Sequence, residues 1–584
     1  MCLNAGMAND PVKLNRARLA AEEGTTLHSW SEGRYRVALI YPNTYSQGMA
    51  NLGFQTVYRL INQRGDCLCE RFFYPDKEDL EACNDGRFPL LSIESQRPLR
   101  EFDLIAFSIS FENDYLNLPL IFAAANFPLF AEERNDEDPL VLMGGVCAFI
   151  NPEPLAEIAD IIAVGEAEAM LGQMLNKLCS AASGRDELLH ELAGVPGVYI
   201  PRFYQPRYAD NGDYLGVMVE PGIPERVRRQ YAPSLAVAPS RSFIQTPESE
   251  FGDMSLIEVS RGCSRGCRFC AAGYVYLPPR EHGLDDLLAQ VDAGLAVRDR
   301  VGLVAAAVAD HSELAALQQG ILDRDGKMSL SSLRLDALTA DEVEKLKAAD
   351  HKTVAIAPEA GSQRLRDFIN KGISEEQILH AVNLLADGGI KNLKLYFIVG
   401  LPSEEQEDVE AIIDLARKIG DIWRAAGRSS GVMGQLTLSI NPFVPKPFTP
   451  LQWAGMEAEK SLQKKYRYLH SAVSRLPNTR MISESLRQAR LQALLSRGDR
   501  RLGRVLPLLA AGRNPRQACR DQGLDMELFV TGSFAGEAPF PWEIIDQGFG
   551  RDYLWSEYQR ALAAKTTPPC FPGCRRCGVC VEPE

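Results

Sequence analysis

The chain has 584 residues, 46% of them hydrophobic and 24% charged, with 46 Gly and 35 Pro scattered rather than repeated. That length is too great for one compact core and implies about three to four globular domains, and the composition excludes collagen-like, disordered and coiled-coil classes. A formal net charge of −14 makes the surface as a whole repel phosphate backbones, which excludes a general nucleic-acid coat but leaves room for a local basic patch.

No charged n-region followed by an apolar run opens the chain. The most apolar stretches, 116–130 and 140–150, fall short of the roughly 18 residues a membrane helix needs. The expectation is a cytoplasmic protein with no membrane partner, in which clustered cysteines bind metal rather than pair as disulfides. Of 14 cysteines, seven sit in two tight groups, Cys263/Cys267/Cys270 and Cys570/Cys574/Cys577/Cys580.

After an N-terminal extension (1–32), residues 33–181 read as a Rossmann-like, doubly wound α/β domain. Apolar runs at 36–41, 67–73, 104–110, 140–143 and 161–164 have the character of buried parallel strands, and 49–61 and 116–125 carry helical spacing. Such sheets bind ligands at the carboxyl ends of their strands, where 43–48, 110–113, Gly144-Gly145 and Gly165-Glu166 fall. The plain alternative is that these glycines only make turns. No G-x-G-x-x-G follows the first strand, so a dinucleotide site is not expected. Residues 182–252 read as a connector with short strands.

The strongest signal is EVSRGCSRGCRFC at 258–270, an apolar strand running into a Gly-rich C-x3-C-x2-C loop. Three thiolates so close in sequence can face one centre, but they cannot close a tetrahedral zinc site without a fourth ligand. They suit a [4Fe–4S] cluster with one iron left open; a zinc knuckle or three buried cysteines is the alternative. The loop, with Phe269 before its third cysteine, resembles that of the radical S-adenosylmethionine (SAM) enzymes. The resemblance implies a partial (β/α)6 barrel over 253–455. Strands at 255–259, 301–308, 329–335, 353–358, 394–399 and 436–441 alternate with helices at 284–297, 340–349, 362–370, 375–386 and 405–425, and the strand ends would carry the active-site groups.

Carried over from that resemblance, Cys263, Cys267 and Cys270 hold the cluster and Phe269 leans on the adenine. Glu359, Ser331 and Arg334 reach the ribose or methionine carboxylate of SAM, and Gly400-Leu401 passes beneath the adenine. Arg334 and Glu359 could instead pair with each other. Where a G-G-E-type turn would grip the SAM amine, the chain reads Val308-Ala309-Asp310-His311, which leaves that role to Asp310 or to backbone carbonyls. His311 there is more often a structural donor than a catalytic group. No catalytic residue is assigned.

The Rossmann-like domain with its GG and GE turns, the run APEAGSQRLR (357–366) and PFVPKPFTPLQW (442–453) resemble the B12-binding-domain radical SAM proteins of undefined function, over nearly the whole chain. That implies cobalamin at the strand ends, with Gly144 and Gly145 in its site. None of the seven histidines lies between residues 33 and 181, so cobalamin would bind without a histidine from this domain, or the domain has kept the fold and lost the cofactor.

Residues 456–584 read as helical, ending in a Cys-rich tail. CFPGCRRCGVC, with spacings x3, x2 and x2, favours a second [4Fe–4S] cluster over zinc or a redox-active tail. The prolines before it stiffen a loop that can fold back over the barrel. The basic run at 487–504 reads as a solvated helix face or a grip for RNA, and Trp542 and Trp555 as core. The reading is a radical SAM enzyme performing cobalamin-dependent methyl or related group transfer to carbon, reduced by a protein such as flavodoxin or ferredoxin. Its rivals are cobalamin-free modification of RNA or protein, and a non-catalytic iron–sulfur electron-transfer or assembly protein.

Overall fold

The computed structural model describes residues 10–30, 34–180, 184–330, 335–348, 352–431, 434–571 and 573–580. Five apolar runs form the parallel strands β1 (Tyr35–Tyr41), β2 (Cys67–Phe73), β3 (Leu104–Ser108), β4 (Leu140–Gly144) and β5 (Ile161–Ala163). Their order, β2-β1-β3-β4-β5, is that of a doubly wound sheet whose growth reverses between β1 and β3. β2 and β3 are buried at every position, which is why their sequences show no polar alternation. The helix Arg185–Ala193 and a sixth strand, β6 (Val198–Tyr199), antiparallel to β5, extend this layer past residue 181. A hairpin of Tyr204–Tyr208 and Tyr214–Val219 follows.

The barrel consists of two parallel arcs. Ser255–Glu258, Arg300–Val304 and Lys327–Leu330 make the first; Thr353–Glu359, Asn392–Val399, Leu436–Pro442 and Thr479–Ser483 make the second. Six of these match the expected strands. The seventh, Thr479–Ser483, lies within the mostly helical region 456–584 and pairs parallel to Leu436–Pro442, which carries the barrel sheet past residue 455. Three of its five residues are exposed and none is buried, so it carries no apolar signature.

The basic run is corrected. It is neither a solvated face nor a polyanion grip, because most of its arginines turn inward. Arg490 and Arg497 are buried, and Arg500 pairs with Glu153 at 3.1 Å and bonds the Tyr199 hydroxyl. Arg501 pairs with Asp499 and lies over the ring of Tyr208, while Arg504 reaches Glu132 and Glu157. These contacts clamp the C-terminal helices onto the first domain. Asn151 adds bonds to the carbonyls of Ser496 and Gly498. Trp542 is fully buried and stacked on Phe540 at 4.5 Å, and Trp555 packs on Trp453 at 5.0 Å. No helix among the described residues is long and apolar enough to cross a membrane.

Candidate functional site

The first barrel strand ends at Glu258, and the chain turns through Ser260–Arg261, paired antiparallel with Arg280–Glu281, into the cysteine loop. Gly262 has φ +87°, and a Cβ there would stand 2.6 Å from the carbonyl oxygen of Tyr276. Only glycine allows so tight an approach. Burial raises the pKa of the Cys263, Cys267 and Cys270 thiols, that of Cys267 to about 12, so metal binding has to drive their deprotonation. The three sulfur atoms do not all lie within 4.8 Å of one another. A single tetrahedral ion with bonds of about 2.3 Å would draw them to ~3.8 Å, closer than the loop sets them.

Several side chains fix the loop from outside. Arg265 makes a bidentate pair with Asp310, both bonds 2.8 Å, so the carboxylate considered for the SAM amine is engaged by the loop itself. Asn370 bonds the carbonyl of Gly266 at 3.2 Å. His311 is buried; its Nδ1 accepts from the amide of Glu313, which makes Nε2 the donor to the carbonyl of His282 at 3.0 Å. A histidine satisfied on both nitrogens is a structural brace.

Glu359 ends its strand with φ +65° and pairs with Lys371 at 3.2 Å. Burial opposes the charge on Lys371, yet Glu359 and the thiols of Cys267 and Cys270 raise its pKa overall. Lys371 therefore belongs to the surroundings of the cysteine loop, and the sequence reading missed it; its position three residues after a capped barrel helix, in the run Asn370-Lys371-Gly372, was the available signal. Phe269 lies half-buried against the apolar group that includes Phe368, Leu401 and Phe443. Gly400 has φ +79°, gives its amide to Glu404 and packs against Leu462. Ser331 and Arg334 lie outside the described residues. Cys570, Cys574 and Cys577 of the tail share a small cavity with Cys263, and the Cys570 amide donates to the carbonyl of Ser264 at 2.7 Å.

The carboxyl ends of the two sheets face each other across a cavity of about 580 Å³. Asn51, Ser110, Gly145 and Gly165–Glu168 line it from the first domain; Glu258, Arg261, Gly262 and Gly302–Ala306 line it from the barrel. A second, apolar cavity of about 70 Å³ lies among Val37, Leu104, Leu142, Met170 and Met174. Gly145, Gly165 and Ala167 border both, and Gly144 borders the smaller. Gly145 has φ +93°, and a Cβ on it would meet the Ile109 carbonyl oxygen at 2.4 Å, so its turn requires glycine with or without a ligand.

A buried ion cluster ties this cavity to the cysteine loop. Glu166 receives Arg280 at 2.6 Å and Arg261 at 2.9 Å, and Arg261 also pairs with Glu168 and Glu258. Burial alone would raise the pKa of Glu166, but Arg280 and Arg261 hold it below 4.5. Its contribution is therefore complete above 4.5 and is lost as the pH falls through the lowered folded value. Glu166→Gln leaves two buried guanidinium groups short of a carboxylate. It is expected to cost about 3 kcal/mol in denaturant unfolding and to remove that acid-dependent limb of stability.

Residues 53–201 match the family described as radical SAM proteins, N-terminal, and residues 257–416 match the radical SAM superfamily. An uncharacterized protein of Methanocaldococcus jannaschii is 31% identical over 476 residues, 80% of this chain and 90% of that protein. An uncharacterized methyltransferase of Pyrococcus horikoshii is 27% identical over 297 residues, 49% of this chain and 59% of that protein. Among solved structures, the cobalamin-dependent S-adenosylmethionine radical enzyme OxsB with aqua-cobalamin and S-adenosylmethionine bound superposes with TM-score 0.44 at 16% identity, over 68% of this chain and 56% of that one. With both matched segments in chain order and the three cysteines on the first strand's loop, this chain belongs to the radical SAM superfamily and carries that superfamily's N-terminal domain.

Proposed function

We propose that this radical SAM enzyme transfers a methyl or related group to carbon, with cobalamin held between its first domain and its barrel. The observation that carries the reading is the cavity of about 580 Å³ into which the carboxyl ends of both sheets open. It brings one ligand within reach of the first domain's turns and of the loop that bears Cys263. Its first-domain wall offers small residues, an Asn51–Ser110 hydrogen bond of 3.0 Å and backbone groups rather than a histidine. Such a wall would suit a cofactor held by shape. The relative called a methyltransferase supports the reaction class.

When bound, the cluster supplies the electron that splits SAM into methionine and a 5′-deoxyadenosyl radical, and cobalamin supplies a carrier for the transferred group. The chain's own part is placement. Cys263, Cys267 and Cys270 hold the cluster, and the Glu359–Lys371 pair beside them offers both signs of charge to the amino-acid end or ribose of SAM. Arg261 and Glu166 fix the distance between the loop and the first domain. The tail cysteines are read as a second [4Fe–4S] site, and the cytoplasm as the compartment in which so many thiols stay reduced.

Anaerobically purified protein, mixed with hydroxocobalamin and desalted, is expected to retain stoichiometric cobalt. Leu52→Trp, placed on the wall of the larger cavity, is expected to abolish that retention while leaving the iron content unchanged. Wild-type protein that retains no cobalt but still cleaves SAM would replace this reading with cobalamin-free radical chemistry.

A further inference from the structure

Beyond its last helix (Arg551–Leu562) the chain returns to the cysteine loop. Arg268, between Cys267 and Phe269, is charged yet wholly buried. Two of its nitrogens bond Glu557 at 3.1 Å, one reaches the carbonyl of Phe368 at 2.8 Å, and one reaches the carbonyl of Lys565 at 2.6 Å. The amide of Thr567 donates to Asn370 at 2.7 Å, and Asn370 in turn holds Gly266. Three residues later the Cys570 amide meets the carbonyl of Ser264, the neighbour of Cys263. Cys263, Tyr274, Tyr553, Cys570, Cys574 and Cys577 line one small cavity. A buried arginine is costly unless fully paired; here its pairing fixes the tail against the back of the loop.

From that contact the tail thiols run outward: Cys574 is buried, Cys577 half-buried and Cys580 exposed. Phe571, 61% exposed, and Arg575 stand beside them on the surface. Arg576 donates to the Cys574 sulfur at 3.3 Å and to the carbonyls of Pro568 and Pro569, which pins the turn. As in the first loop, no three of these sulfurs lie within 4.8 Å of one another, wider than one tetrahedral ion would hold them.

We propose that Cys570, Cys574, Cys577 and Cys580 hold an iron–sulfur cluster through which electrons enter, one at a time, from a soluble donor protein to the cluster on Cys263, Cys267 and Cys270. This rests on the reading of the first loop as a cluster site. The donor loses one electron, the tail cluster accepts and releases it, and the first cluster gains it. The tail centre is thus unchanged over a cycle, and no proton or bond moves. The exposed end at Cys580 faces the donor, and the Cys570–Ser264 hydrogen bond joins the two ligand sets.

The test compares anaerobically reconstituted wild type with the C570A/C574A/C577A/C580A variant. The variant is expected to lose about four irons and keep about four. In stopped flow, reduction of its first cluster by a flavodoxin is expected to slow by an order of magnitude or more. Wild type needs no variant for a second readout: when fully reduced, its EPR spectrum should show two paramagnets broadened by mutual coupling. Zinc in place of the second set of irons would overturn the proposal. So would two uncoupled signals with an unchanged reduction rate. Retention of the first four irons in the variant keeps the radical SAM reading intact whichever result appears; their loss from wild type would remove both.

Discussion

Cys267→Ala is expected to strip about four irons from the barrel and to reduce SAM cleavage to background. Cys267 is the middle cysteine of the loop and a proposed cluster ligand, and burial pushes its thiol up to about 12. Loss of one of the three proposed ligands leaves two thiols on the loop, too few to hold the cluster. Folding should survive, because the loop is braced by Arg265–Asp310, Asn370 and Tyr274 independently of the sulfur. Iron and sulfide analysis, followed by chromatography for 5′-deoxyadenosine after dithionite and SAM, checks the prediction.

Arg268→Ala carries the largest expected cost in stability. It would leave the buried Glu557 carboxylate with only the longer contact to Arg560 at 3.7 Å and the hydroxyl of Thr567, and would strand the carbonyls of Phe368 and Lys565. Breaking one side of a buried ion pair costs about 3–5 kcal/mol. Because the broken bonds join the cysteine loop to the tail, the effect should concentrate there. Hydrogen exchange of residues 563–580 is expected to rise by orders of magnitude, while the strands of the first sheet stay protected. Equal loss of protection across both domains would show that Arg268 supports the whole molecule rather than the tail contact. Arg268→Lys restores a charge but not the multiple donors of a planar guanidinium, so it is expected to recover only part of the loss.

What the sequence made legible follows from burial. The strands of the first sheet are enclosed on both faces, so their apolar runs marked them to within a few residues. Thr479–Ser483 lies at a sheet edge with no buried residue, and nothing in its composition separates it from the helices around it. The basic run misled for a related reason. Charge spacing reports what a helix carries but not what it meets, and Glu153, Glu132 and Glu157 lie more than three hundred residues upstream. The cysteine loop stood out because its three thiols lie on one short segment. Lys371, Arg268 and the ion cluster at Glu166 were not, since each acts through a partner brought close only by the fold.

The most direct measurement is EPR of the reduced first cluster in the C570A/C574A/C577A/C580A variant, where no other cluster contributes, before and after SAM is added. An iron that lacks a protein ligand should bind SAM, so the g values and line shape are expected to change on addition. A spectrum indifferent to SAM at saturating concentration, from a cluster with all four irons in place, would mean that the vacant corner is closed, and would contradict the assignment of this loop as the site of SAM cleavage.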